Sequence, residues 1–373
     1  MRFLLFATIF LLVFILLTLF ISKRFVNKLN MKPIYKKVFN IFLLINLFGV
    51  LGYMLFRYFP VVPNFIYFLF SIPIGLIFLL FITTVIYELF NYLINVSTKN
   101  SKRRAFLKKS LDISSLAVAA SINAKAMYNA RYIQTEYVQV KLKNLEKEYK
   151  IVQLSDVHIG GLIDKKFIAS LVEKINAQNC DAVVITGDLI DTDIKYAKDA
   201  IDELQHIKST YGTFFAVGNH EYFHNIEVLI KYLTRIGIKV LENESVYIGE
   251  ENQGFNLAGV YDVFGYTFEK FQPDINKALE QIDTNSATVL LAHQPKYIHE
   301  VPNSVDLVLS GHTHGGQLVP FNFLVKLVQP YLKGLHQHNE HTQIYVNKGT
   351  GFWGPPMRLG ACSEMTVITL KDQ

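Results

Sequence analysis

Cysteine is scarce in this 373-residue chain: there are two, Cys180 and Cys362, far apart and outside any C-x-x-C pattern. That excludes a disulfide scaffold and a thiolate zinc site, and spacing alone leaves open whether the two pair. No G-x-S-x-G elbow or Cys/His arrangement offers a covalent nucleophile. Internal repeats and low-complexity segments are lacking too. Acidic side chains are nearly missing from one half: residues 1–130 hold 2 Asp or Glu against 15 Lys or Arg, whereas residues 131–373 hold 29 against 22. The net charge of +6, with a pI near 9.0, therefore divides into +13 and −7. The acidic half has no basic cluster and no aromatic-basic stripe, so a nucleic-acid partner is not expected. With 51% hydrophobic residues the chain is not disordered, and its length suits about two domains.

The basic half reads as membrane protein. Residues 3–22, 38–56 and 58–87 are uncharged runs of 20, 19 and 30 residues, and roughly 20 cross a bilayer. The third contains Pro60, Pro63 and Pro73, which membrane helices tolerate. Lys23, Arg24, Lys28, Lys32, Lys36 and Lys37 crowd the first loop, and Lys99, Lys102, Arg103, Arg104, Lys108 and Lys109 follow the third run. Both groups should be cytoplasmic, with the short Arg57 loop and the N-terminus outside. The expected organisation is a transmembrane region of about three helices over 1–98, a basic segment and linker over 99–135, and a catalytic domain over 136–373.

Residues 102–108, Lys-Arg-Arg-Ala-Phe-Leu-Lys, resemble a twin-arginine export signal, with Lys102 where Ser or Thr is usual. Residues 113–124 are 12 uncharged positions, short for a span and suited to a signal core, and Ala124-Lys125-Ala126 has a cleavage-site form. One reading is export of the second half, with the twin-arginine machinery as a partner. The other is a basic stop followed by an interfacial helix. The two readings place the catalytic half on opposite sides of the membrane, the extracytoplasmic side being slightly preferred.

From residue 136 the pattern changes to short β-rich runs at 137–142, 149–154, 182–186, 213–217, 239–241, 256–260, 288–292, 307–310, 343–346 and 365–370. Between them lie amphipathic stretches at 165–178, 194–207, 226–236 and 275–282. Interleaved strands and helices predict an α/β fold, a layered β-sandwich flanked by helices.

Polar motifs follow five of the apolar runs, where strand ends open into a crevice. They are Ser155-Asp156-Val157-His158, Gly187-Asp188-Leu189-Ile190-Asp191, Gly218-Asn219-His220-Glu221, Ala292-His293 and Gly311-His312-Thr313-His314-Gly315-Gly316. Singly, each is an ordinary turn or cap. Together they supply carboxylates, an amide and imidazoles, which are expensive to bury unless cations turn them into ligands. Mixed oxygen and imidazole ligation suits Mn, Fe, Zn or Ni, and an Asp able to bridge points to two divalent ions.

This series, D-x-H, G-D-x-x-D, G-N-H-[DE], a lone H and G-H-x-H, resembles that of the calcineurin-like metallophosphoesterases over roughly residues 149–370. Within them the chain is most similar to the membrane-associated branch, which also shows an ending like Gly349-Thr350-Gly351 and Arg358-Leu359-Gly360. Ser363-Glu364 stands where that branch usually has Pro-Glu. The resemblance implies Asp156, His158 and His314 on one metal, Asn219, His293 and His312 on the other, and Asp188 bridging. His220 would protonate the leaving oxygen, with Asp191 orienting it. The glycines at 311, 315 and 316 would turn the backbone between ligands. His224, His299, His336, His338 and His341 read as surface or loop residues.

The expected activity is hydrolysis of a phosphodiester or pyrophosphate. The apolar stretch after the last motif, residues 318–332, is either core or a lip facing the bilayer or an acyl chain. With a membrane anchor on the chain, the expected substrate is amphiphilic. The resemblance suggests a precursor of lipid A, UDP-2,3-diacylglucosamine, which would be met on the cytoplasmic face. A soluble nucleotide is an alternative substrate, and a non-catalytic metal-binding sensor module is the alternative of another class.

Overall fold

The structure is a computed structural model that describes residues 2–56 and 63–372. The expected Arg57 loop and Pro60 lie outside the described residues. The chain divides into two compact units, one of Met1–Tyr128 with Gly354–Met357, the other of Asn129–Trp353 with Arg358–Gln373.

The first unit is helical: α1 (Arg2–Arg24), α2 (Pro33–Phe56), α3 (Asn64–Ser97) and most of α4 (Ser101–Arg131). Three spans are long and apolar enough to cross a membrane: Ala7–Lys28, which continues past the end of α1, Pro33–Phe56 and Asn64–Ser97. Pro73 sits inside α3. Small residues bring α2 and α3 together, as in other membrane bundles: a Cβ at Gly49 would lie 2.6 Å from Pro73 Cγ, and one at Gly52 would lie 2.4 Å from Phe70 Cδ1. The stretch expected as either a signal or an interfacial helix is one unbroken 31-residue helix. Its Asp112, Ser115, Ala119, Ala126 and Ala130 are buried at helical spacing. Ala119, with Leu111 and Leu116 against it, joins the apolar cluster that holds Phe14 and Tyr87.

The second unit has twelve strands in two mixed six-stranded sheets. The first sheet runs β1 (Ile133–Leu142), β12 (Ser363–Asp372), β2 (Tyr149–Leu154), β3 (Ala182–Thr186), β4 (Thr213–Ala216), β5 (Ile238–Val240). The second runs β10 (Gly334–Gln337), β11 (Gln343–Val346), β9 (Leu307–Ser310), β8 (Thr288–Leu291), β7 (Phe255–Gly259), β6 (Glu244–Ile248). Alternation along β2 and β3 shows the layering. Ile151, Ala182 and Val184 enter the core between the sheets with Leu257, Val289 and Leu309. Val152, Val183 and Ile185 face the other way, onto residues of α5 (Lys165–Asn176), α6 (Ile194–Ile201) and α7 (Ile226–Arg235). The outer face of the second sheet is covered by Tyr297, Ile298 and Val305.

Several expectations shift. β1 starts at Ile133, ahead of residue 136, because Ile133–Leu142 pairs in parallel with the whole of β12. β6 and β10 were not expected; both are edge strands with half-exposed, polar-rich sequences. The stretch at 194–207 tightens after Ile201 into a 3₁₀ turn, Asp202–His206, and at 275–282 one helical turn forms, Ile275–Ala278. Cys180 and Cys362 are both free thiols.

Candidate metal centre

Strands β2, β3, β8 and β9 end directly before a polar motif, and β4 ends one residue short of the remaining one. β2, β3 and β4 run parallel, as do β7, β8 and β9, so their carboxyl ends open the same way within each sheet. The chain turns abruptly there. Asp156, His158, Asp188, His312 and His314 all have φ between +50° and +67°, a conformation that costs side-chain-bearing residues about 1–3 kcal/mol each and collects at functional sites. Two glycines permit the crowding: a Cβ at Gly311 would stand 1.8 Å from Ser155 Oγ, and one at Gly187 would stand 2.5 Å from His293 Nδ1.

Three groups of ligand-type atoms result. In Asp156, His158 and His314 the atoms lie within 4.8 Å of one another, as they do in Asp188, His293 and His312 and in His158, Asp191 and His220. His158 Nε2 is 3.0 Å from His314 Nε2, which is 3.3 Å from Asp156 Oδ1. His293 Nε2 is 3.3 Å from Asp188 Oδ2 and 3.1 Å from Asn219 Oδ1. The same Asp188 oxygen is 4.0 Å from His158 Nε2, so one carboxylate reaches toward both sets.

The donor set fits divalent cations. His158 Nδ1 donates to Asp191 Oδ1 at 2.9 Å and His293 Nδ1 to the Thr186 carbonyl at 2.8 Å. Each Nε2 is thereby turned toward carboxylates, His293 Nε2 at 3.3 Å from Asp188 Oδ2 and His158 Nε2 at 4.0 Å from Asp156 Oδ1 and Asp188 Oδ2, the orientation that second partners impose on ligating imidazoles. Two lone-pair acceptors facing one another repel unless a cation or proton stands between them.

Burial would raise Asp188, but His293 and then His220 overcome it and hold the carboxyl well below its usual range. Asp191 behaves likewise beside His158 and His220. His293 resists burial through Asp188 and rises well above the usual imidazole range. Burial, then the His293 charge, pushes His312 down to about 3, and burial with His158 and Arg358 lowers His314. The last two rings are thus neutral, the form that binds metal.

His220 joins neither of the two ligand sets expected from sequence but stands beside them, its ring 4.7 Å from that of His158. Its Nδ1 contacts Asp191 Oδ1, its backbone N–H donates to Asp188 Oδ1 at 2.8 Å, and its Nε2 lies 3.8 Å from Asp188 Oδ2. Asp191 therefore bonds two imidazoles. The Phe223 and Trp353 rings stand 6.1 and 6.2 Å from the His220 ring. His224, His299, His336, His338 and His341 join none of the three groups.

Three supporting residues went unassigned in the sequence. Glu221, fully buried, accepts from the N–H groups of Gly218, Asp188, Leu189 and Ile190, tying two motif loops together. Its place immediately after His220 was the available signal. Ser155 Oγ donates to Asp156 Oδ2 at 2.6 Å. Arg358, fully buried, donates to the carbonyls of His314, Lys348, Gly349 and Gly351 and touches His314 Nδ1. The Arg-Leu-Gly ending thus clamps the loop behind a predicted ligand.

Residues 149–316, the stretch that carries all five motifs, match the family described as calcineurin-like phosphoesterase. An uncharacterised metallophosphoesterase of Helicobacter pylori is 38% identical, the match covering 97% of this chain and 97% of that one. The chain belongs to the metallophosphoesterase family. A Campylobacter jejuni relative, also an uncharacterised metallophosphoesterase, is 34% identical over the full length of both chains. A Danio rerio transmembrane protein with metallophosphoesterase domain is 35% identical over 69% of this chain and 60% of its own. Apolar helices joined to a metallophosphoesterase domain are thus a feature shared with a named relative.

Proposed function

We propose that this chain is a membrane-anchored phosphoester hydrolase that uses two divalent ions, Mn, Fe, Zn or Ni, and cuts a phosphodiester or pyrophosphate in an amphiphilic substrate. The observation that carries the reading is the convergence of Asp156, His158 and His314 with Asp188, His293 and His312, linked through one Asp188 oxygen. Asp156, His158 and His314 would hold one ion, Asn219, His293 and His312 the other, and Asp188 both. Such ions supply a hydroxide nucleophile at neutral pH and neutralise phosphoryl oxygens. His220, on the rim and oriented by Asp191, delivers a proton to the leaving oxygen. Hydrolysis of bis-p-nitrophenyl phosphate with Mn²⁺ tests this. Turnover by wild type no higher than that of Asp188→Asn and His220→Ala would refute the enzyme reading.

An amphiphilic substrate is supported by the aromatic rings of Phe223 and Trp353 flanking His220. The extracytoplasmic side is the reading we favour, and α4 supports it. At its start Lys108 Nζ donates to the Lys28 carbonyl at 3.2 Å, and Asp112 accepts from the Asn30 N–H at 2.8 Å and the Tyr87 hydroxyl at 2.9 Å. These partners belong to the end of the bundle that carries the basic loops, the cytoplasmic end by the positive-inside rule. From there α4 runs beside Phe14 at Ala119 and continues unbroken to Arg131. Its 31 residues span about 46 Å, of which the uncharged residues 113–124 cover about 18 Å, so the support for a crossing is its packing beside the bundle and not apolar length. In this reading α4 makes a fourth crossing and the catalytic unit lies outside the cytoplasm. Lys102, Arg103 and Arg104 at its first turns are exposed, and in this reading they are what twin-arginine machinery would bind.

That location favours an envelope or lipid phosphoester over UDP-2,3-diacylglucosamine, whose pool is cytoplasmic. Reporter fusions at residues 95 and 140 test it, and both reporters on one side would defeat it. Lipid and nucleotide-lipid profiles of a strain lacking the protein identify the substrate.

A further inference from the structure

The stretch after the last motif is core only at its ends, where Leu318 and Leu332 are buried. Within residues 319–328, Val319, Phe321, Phe323, Leu324, Leu327 and Val328 are all exposed, Phe323 by 63%, Val328 by 70% and Leu327 by 79%. Soluble surfaces scatter single apolar residues but rarely collect six large ones on one short segment.

Both ends of the segment are pinned. The Val319 N–H donates to the Leu359 carbonyl at 3.0 Å, and the Leu359 N–H to the Gln317 carbonyl at 2.7 Å. Gly316, at φ +80°, packs so closely on Asn322 that a Cβ would lie 2.3 Å away. Beyond the segment, Gln329 Oε1 accepts the Lys296 N–H at 3.1 Å, and Thr313 Oγ1 donates to the Leu332 carbonyl at 2.7 Å. Thr313 lies between His312 and His314, so the apolar tips project from a frame fixed to the predicted ligand loop.

Charge distinguishes the segment from the rest of its unit. Residues 307–339 contain no Asp or Glu, and their only Lys or Arg are Lys326 and Lys333, both exposed, within a half of the chain whose net charge is −7. Exposed apolar side chains beside isolated lysines match an interface of acyl chains under anionic headgroups. The three apolar spans on the same chain keep a bilayer within reach, so even a weak second contact is made at high effective concentration.

We propose that residues 319–328 seat the phosphoesterase unit on the lipid bilayer, with Phe321, Phe323, Leu324 and Leu327 among the acyl chains and Lys326 and Lys333 against anionic headgroups. Seating fixes the predicted ligand loop a few residues from the headgroup layer. A phosphoester embedded in the membrane then reaches the site without leaving the lipid.

The test uses the full chain reconstituted in phosphatidylcholine and phosphatidylglycerol vesicles. Leu327→Cys in a Cys362→Ser background carries an environment-sensitive nitrobenzoxadiazole label, and Tyr196→Cys on α6 carries the control. The expected result is blue-shifted emission at 327, lost when nitroxide-labelled lipid is added, with water-like, unquenched emission at 196. Water-like emission at 327 overturns the proposal, as does energy transfer between labelled copies without lipid quenching, which assigns the face to a second copy. A Leu324→Glu, Leu327→Glu double variant is expected to lose quenching at a label on Val328→Cys. Unchanged quenching there also overturns the proposal. These readouts need no turnover, so they stand apart from the proposed reaction. If the double variant loses turnover of vesicle-embedded ester but keeps that of bis-p-nitrophenyl phosphate, the seat serves substrate access. An equal loss of both would mean a structural role and defeat that last step.

Discussion

Buried polar groups in the two units behave differently. In the helical unit several turn back on their own backbone: Asn46 Nδ2 donates to the Phe42 carbonyl at 2.8 Å, Thr83 Oγ1 to Leu79 at 2.9 Å, Thr84 Oγ1 to Leu80 at 2.7 Å. Its one buried carboxylate among the described residues, Asp112, is met by Lys108, Tyr87 and the Asn30 N–H. These groups are satisfied locally, as a low-dielectric environment requires. In the phosphoesterase unit Asp156, Asp188, His158, His293 and His314 are buried together and point at one another. Gathering carboxylates and imidazoles in this way is costly unless cations or protons stand between them.

The comparison breaks most decisively at Asp188. Asp188→Asn is expected to abolish bis-p-nitrophenyl phosphate turnover and lower the metal content of purified protein by elemental analysis, while Asp112→Asn in the helical unit changes neither. Retained turnover would mean that Asp188 holds nothing catalysis needs. Next is His220→Ala, for which kcat should fall about 10²–10⁴-fold with metal content kept, because general acid help is lost and no predicted ligand is removed. Asp191→Asn should cost about 10–100-fold, since it orients the His158 and His220 rings through hydrogen bonds. A loss in Asp191→Asn as large as in Asp188→Asn would move Asp191 into the ligand set.

Glu221 sharpens the comparison through pH. Burial, and then the Asp188 charge, push its carboxyl up to about 7. A folded-state value above the unfolded one means stability that is complete below the ordinary Glu range and lost as pH rises through about 7. Chelator-treated protein should therefore show a melting temperature that falls between pH 5 and pH 7.5. Glu221→Gln, whatever its midpoint, should flatten that slope. An unchanged slope would assign the titration elsewhere.

How much of this was legible follows from the same contrast. Buried parallel strands leave short apolar runs closed by polar motifs, and the expected limits of β2, β3, β9 and β11 match those observed. The gathering of the five motifs was legible because, ordinary as each is alone, together they supply carboxylates, an amide and imidazoles that are expensive to bury without cations. Glu221 and Arg358 were not, since each works through backbone groups of distant loops and no spacing records that. α4 was missed for the opposite reason. Its composition is mixed, its charges lie near its ends, and only the packed stripe through Asp112, Ser115 and Ala119 shows which face is covered. The edge strands β6 and β10 lack the apolar run that a doubly covered strand displays.

The smallest effect on chemistry is expected from the tightest packing in the helical unit. Gly49 and Gly52 lie one helical turn apart on α2, and the Pro73 and Phe70 side chains of α3 occupy the space any Cβ would need. Membrane helices gain little from apolar transfer between themselves, so close backbone approach supplies much of their association. Gly49→Val with Gly52→Val must separate α2 from α3 or displace Phe70 and Pro73. Overpacking of this kind costs typically about 1–3 kcal/mol. In detergent, the double variant should lose helical signal at lower temperature than wild type, while turnover of bis-p-nitrophenyl phosphate stays within about twofold, because no group on the phosphoesterase rim has changed. If turnover fell in step with the helical signal, the ligand loops would depend on the bundle, and the two units would be one cooperative structure with one reason for burying polar groups instead of two.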